Sequence, residues 1–191
     1  MNTSIRKLTH SAIMIALATV LSIFAVYKLP NGGSVTFASM VPIIVIALMY
    51  DFGWAMLTAF AYSLIQMLLG FYPPPTQDVL SFALVVLLDY VVAFSVLGLA
   101  GVIARRSRSR GIGATVATCV VILLRLCCHF LSGILIWAPY APEDMPVWLY
   151  SITYNSSYMI PEMIVSAVVV ALVVKFVNLD KLAARAPASA Q

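Results

Sequence analysis

Four ionisable side chains stand inside long apolar stretches of this sequence: Asp89, Arg125, His129 and Glu162. In hydrocarbon such groups cost about 2.5–3.5 kcal/mol each on insertion scales unless they meet a partner or a cavity. Arg125 and His129 are four residues apart and share a helix face, and Gly133 and Trp137 extend that stripe toward the outer end. A second series at the same interval runs Tyr150, Tyr154, Tyr158 and Glu162, with Asn155 beside it. Pro161 removes a helix donor, so a freed carbonyl near Ser157 and a kink are expected. Each member also has a plainer reading. Tyr and Trp near span ends form interfacial belts, Arg125 pairs with Asp89 or Glu162 to hold the helices together, and His129 alone is a satisfied bundle residue. The coincidence carries more weight, because Asp89, Tyr90, His129, Trp137, Tyr150 and Asn155 all lie in or reach the outer half of the bundle. They predict a polar, aromatic-walled pocket opening outward, with Tyr62, Tyr154, Glu162 and Arg125 as further candidates. Aromatic faces attract cations by roughly 0.5–2 kcal/mol and stack on planar rings. A carboxylate at Asp89 balances positive charge, while Asn155 and His129 offer directional hydrogen bonds. A small, flat, cationic heterocycle fits this set best.

The elements that position these groups are membrane spans. Of 191 residues, 63% are hydrophobic and 9% charged, too apolar for a water-soluble fold. Stretches long enough to cross about 30 Å of hydrocarbon fall near 8–28, 36–51, 53–71, 79–104, 112–138 and 148–177. A tight turn at Tyr50-Asp51-Phe52-Gly53 separates the second from the third. The expectation is therefore an all-α membrane protein, a single bundle of six transmembrane helices over 1–191 with a short cytoplasmic tail from about 178. The first span is read as retained, since no cleavage site for a signal peptide follows it.

Basic residues set the orientation. With both termini cytoplasmic, Arg6, Lys7, Arg105, Arg106, Arg108, Arg110, Lys175, Lys181 and Arg185 lie inside, which is nine of the eleven Lys and Arg. Lys28 falls in an outer loop and Arg125 within a span. The net charge of +4 is then a topological signal, and nucleic-acid binding is not expected. Cys119, Cys127 and Cys128 lie within a span, where small apolar packing is expected of them rather than disulfides or a metal site.

At these residues the chain resembles the thiamine-specific substrate-binding subunits, the ThiT/YuaJ family, of energy-coupling factor (ECF) vitamin importers. The segment from His129-Phe130 through Gly133, Trp137, Tyr140 and Ala141 is similar to the family's His-Phe-x-x-Gly-x-x-x-Trp-x-x-Tyr-Ala. Tyr150-Ser151 with Asn155 resembles its Tyr-Ser-x-x-x-Asn, and Leu88-Asp89-Tyr90 its Leu-Glu-Tyr. The resemblance implies that Asp89, Tyr90, His129, Trp137, Tyr150 and Asn155 contact thiamine. Three departures bear on the ligand: Asp89 is one methylene shorter than the family's Glu, no Trp occurs between Lys28 and Thr36, and Glu162 is an additional acid. Thiamine and its pyrimidine or thiazole precursors both remain open.

The resemblance also implies partners: a transmembrane coupling subunit and two cytoplasmic ATPases in a prokaryotic plasma membrane. Ala12 and Ala16 supply the small-residue spacing that lets helix backbones approach a partner. The chain contains no Gly-x-x-x-x-Gly-Lys-Ser/Thr loop, so ATP is expected to be used by the partners, with no cofactor in this chain. Pro30-Asn31-Gly32-Gly33-Ser34 reads either as a movable lid or as a plain turn. The rival transport reading is an ion- or proton-coupled secondary transporter relaying protons through Asp89, Glu162 and His129. An intramembrane enzyme is not expected, since no nucleophile or His-Glu-x-x-His motif is present.

Overall fold

The computed structural model describes residues 3–184; Arg185 and the remainder of the expected tail lie outside them. Among the described residues, five helices are long and apolar enough to cross a membrane: α1 (Thr3–Ile23), α3 (Phe52–Gly70), α4 (Val79–Ala104), α5 (Arg110–Leu135) and α6 (Val147–Phe176). Between α1 and α3 stand an antiparallel hairpin, β1 (Ala25–Lys28) with β2 (Ser34–Thr36), and a short helix α2 (Val41–Met49). A short helix α7 (Leu179–Ala184) follows α6. But for this hairpin, the described residues form an all-α membrane protein.

The second span departs from expectation. Helix α2 has nine residues, about 14 Å at 1.5 Å per residue, less than half the hydrocarbon thickness. The first helix ends at Ile23, and 25–28 form a strand rather than a last helical turn. The reason is local: Gly32 and Gly33 take φ of +87° and +85°, which fold the chain back on itself, and Leu29 N–H donates to Gly33 O at 3.0 Å. The β2 end reaches deep, because Thr36 meets Glu162 halfway along α6. Irregular backbone survives at such depth only when protein or a polar cavity covers it, and both do so here.

The helices pack as membrane helices do, through small residues. Ala18, Ala55, Ala59, Ala93, Ala100, Ala114 and Ala117 are buried at helix contacts. Outward faces carry Leu8, Ile13, Val20, Leu57, Leu68, Val168 and Leu172, all exposed, as a lipid-facing surface requires. A polar seam ties α1 to α3: Trp54 Nε1 donates to Ser11 Oγ at 2.9 Å, Tyr62 Oη to Ala18 O at 3.4 Å, and Gln66 Nε2 to Ser22 Oγ at 3.0 Å. Helix α2 meets α4 where Gly101 lies against the Ala47 carbonyl, and a Cβ there would overlap that oxygen. Gly101→Ala is accordingly expected to destabilise the bundle by about 1–3 kcal/mol, read as a lower thermal midpoint in detergent. An unchanged midpoint would show that α2 can shift freely.

One end of the bundle is basic. Lys7 pairs with Asp51 at the α2–α3 turn, Arg105 Nη1 donates to Tyr50 O at 3.5 Å, and Arg110 pairs with Asp180 of α7. The hydrogen bond from Lys7, with that from Trp54 N–H, holds the Asp51 carboxyl below the usual carboxylate range. A depressed folded-state pKa means that this contribution is present above the unfolded value near about 4 and is lost as pH falls through the folded one.

Candidate binding site

At the end of the bundle away from these basic residues lies a cavity of about 600 Å³, within the range of small-molecule sites. Its walls come from α4, α5 and α6, and the hairpin tip at Pro30, Asn31, Gly32 and Gly33 lines it as well. Asp89, Tyr90, Arg125, His129, Trp137, Tyr150, Tyr154, Asn155 and Glu162 all line it. Tyr62 does not. It is fully buried at the α1–α3 seam, edge-on to Phe94 at 5.5 Å, and Phe94 is what faces the cavity.

Asp89 is the hub. It lies in a π-helical turn, Val86–Val91, within α4. Such wide turns recur at functional sites, and no residue pattern announced this one. Its Oδ1 meets His129 Nδ1 at 3.0 Å, and its Oδ2 accepts from Ser132 Oγ at 2.7 Å and from Trp137 Nε1 at 3.0 Å. Helix α5 ends at Leu135, so Trp137 lies beyond the helical stripe; a short turn, Ala138–Tyr140, follows it, and its indole folds back to reach Asp89. On the other ring nitrogen, His129 Nε2 accepts from Arg125 Nε at 3.2 Å. Since arginine can only donate, the imidazole is neutral with its proton on Nδ1, and that proton goes to Asp89. A carboxylate offers about four lone-pair sites, and three are taken, leaving one on a side chain that lines the cavity.

Several candidates spend their polar atoms on the protein itself. Tyr90 Oη donates to Gly70 O at 2.8 Å and accepts from Tyr72 N at 2.9 Å, clamping the α3–α4 loop. Asn155 Nδ2 donates to Ser151 O at 2.9 Å and, across to α5, to His129 O at 3.3 Å, and its Oδ1 accepts from Tyr158 Oη at 2.7 Å, bracing α6 against α5. Tyr154 donates to Gly32 O at 2.8 Å and accepts from Asn31 N at 3.0 Å, while Tyr150 accepts from Asn31 Nδ2 at 3.3 Å. These tyrosines therefore seat the hairpin over the cavity.

Glu162 likewise holds the hairpin, accepting from Thr36 N at 2.6 Å and Thr36 Oγ1 at 2.7 Å. Glu162→Ala would strand a buried N–H, at a cost of about 1–3 kcal/mol. Amide exchange across 34–36 is expected to accelerate by at least about tenfold; unchanged exchange would mean that something else anchors the strand. Arg125 does not pair with Asp89 or Glu162. Its guanidinium lies 3.8 Å from the Phe94 ring centroid, and Nη1 points to Met40 Sδ at 2.9 Å. Sequence reasoning missed Ser132, Phe94, Thr36 and Asn31. Tyr158, also a wall, stood in the four-residue series but was not singled out.

A bundle of lipid-facing helices closing an aromatic, charge-bearing cavity beneath a hairpin defines a multi-pass membrane transport protein. The chain belongs to the thiamine transporter protein family (Thia_YuaJ), whose model matches residues 8–181. It is 35% identical over 179 residues to the thiamine transporter ThiT of Bacillus subtilis, covering 87% of this chain and 88% of that protein. A solved structure of ThiT from Listeria monocytogenes has the same fold, with a TM-score of 0.77 over 95% of this chain and 99% of that one, at 24% identity. Family membership makes the chain a transporter and not an enzyme.

Proposed function

We propose that this chain is the substrate-capturing subunit of an ECF-type vitamin importer, binding thiamine or a close relative outside and delivering it inward when coupled to an ATP-driven module. The carrying observation is a carboxylate set among aromatic walls. Asp89 and Glu162 are matched in formal charge by Arg125 and Lys28, which also line the cavity, and Asp89 is the acid joined to the aromatic wall through Trp137. A flat cationic heterocycle that stacks on the rings and meets Asp89 is the complement. Trp137 stacks with Tyr140 at 5.8 Å and lies 5.4 Å from Tyr72, a group able to take a further ring. Asp89, Tyr90, His129, Trp137, Tyr150 and Asn155 are the proposed ligand wall, Tyr90 and Asn155 through packing and bracing more than through free polar atoms.

The basic end opposite the cavity supports cytoplasmic termini and an outward-facing site. Ala12 and Ala16 are exposed on the face of α1 turned away from the seam to α3, as docking to a coupling subunit needs. With no phosphate-binding loop in the sequence, ATP hydrolysis falls to two partner ATPases on the cytoplasmic side of the prokaryotic plasma membrane.

Calorimetric titration of the purified subunit with thiamine and with its two ring precursors tests the reading. Thiamine is expected to bind most tightly, and no heat with any of the three would sink it. Trp137→Ala should lower affinity by about 1 kcal/mol or more without shifting the unfolding midpoint; unchanged affinity would remove Trp137 from the wall. Uptake by liposomes that persists without ATPases would favour the ion-coupled alternative instead.

A further inference from the structure

The cavity holds a cation with no counterion. Among the described residues, no carboxylate lies within 4.0 Å of the Arg125 guanidinium, because Asp89 is engaged by His129, Ser132 and Trp137, and Glu162 by Thr36. Of its five N–H groups, Nε serves His129 and one on Nη1 meets a thioether, a weak acceptor. Three remain without an acceptor, and the side chain lines the cavity. The Phe94 ring lies 3.8 Å from the guanidinium carbon and covers one side of it. At membrane depth an unsatisfied guanidinium is costly, and the strongest available repayment is an oxygen brought by the ligand.

We infer that Arg125 is the subsite for the oxygen-bearing side arm of the captured heterocycle, a terminal hydroxyl or its phosphate ester. The inference rests on the proposed capture of thiamine. Lying two helical turns below Gly133 on α5, Arg125 is placed to read the end of the ligand remote from the Trp137 rim. Asp89 then answers the ring cation and Arg125 the arm, so one cavity reads two ends of opposite character.

The test compares thiamine, thiamine monophosphate and the analogue carrying ethyl in place of hydroxyethyl, each titrated into wild type, Arg125→Met and Arg125→Lys. Wild type is expected to bind the ethyl analogue at least about tenfold more weakly than thiamine. Arg125→Met should erase that difference, with the monophosphate losing most, and Arg125→Lys should keep part of it. Equal affinity of wild type for thiamine and the ethyl analogue would overturn the inference even if Arg125→Met fails to fold. So would an equal loss for all three ligands in Arg125→Met. Absence of thiamine binding by wild type would instead overturn the capture reading itself, and this inference with it.

Discussion

Asp89→Asn is expected to weaken thiamine binding on the order of a hundredfold, with a much smaller effect on a neutral ring precursor. The carboxylate is the acceptor on which three donors converge, and it carries the charge that offsets the ligand cation. Asparagine keeps one oxygen for His129 but turns an NH2 toward the Trp137 N–H and the Ser132 hydroxyl. Serine can rotate to accept; the indole can only donate. Hydrogen bonds to a charged group contribute about 1.5–3 kcal/mol, and each 1.4 kcal/mol is tenfold in affinity. Parallel calorimetry with the cationic and neutral ligands separates the roles. A proportionate loss for both would make Asp89 a structural hub with no part in charge recognition.

Gly33→Val is expected to have the second large effect, on the hairpin rather than the bundle. At φ of +85° a β-branched residue is strained by roughly 1–3 kcal/mol. Its Cβ would also stand 2.6 Å from the Tyr158 ring. That ring cannot easily yield, since its hydroxyl is held by Asn155 Oδ1 and its edge faces His129. The hairpin tip must lift, breaking the Asn31 and Gly32 bonds to Tyr150 and Tyr154. Ligand dissociation should then accelerate by at least about tenfold, while the unfolding midpoint of the apo bundle stays close to wild type. Stopped-flow quenching of the pocket's Trp137 measures the rate. An unchanged rate would mean that the hairpin is a plain turn and does not retain ligand.

Much of this molecule could be read from residue order. Long apolar runs interrupted by a few ionisable groups define the solvent and the spans, because helical hydrogen bonding in lipid leaves few alternatives. Spacing of four placed Arg125, His129 and Gly133 on one face, and Tyr150 through Glu162 on another, because the α-helix repeats every 3.6 residues. What periodicity cannot reach is where a helix departs from itself or where separate segments meet. The π turn that aims Asp89, the hairpin that replaces the expected end of the first span, and the return of Trp137 past the end of α5 all depend on long-range neighbours. Tyr62 looked like a site residue and is a seam residue, since its partner Ala18 lies 44 positions away. The assignment of charges was likewise a tertiary decision. Residue order supplied two acids and one arginine; packing gave both acids to neutral donors and left Arg125 facing the cavity. Composition and spacing determined that polar groups would gather away from lipid, and only the three-dimensional competition for hydrogen bonds decided which of them remain available to a ligand.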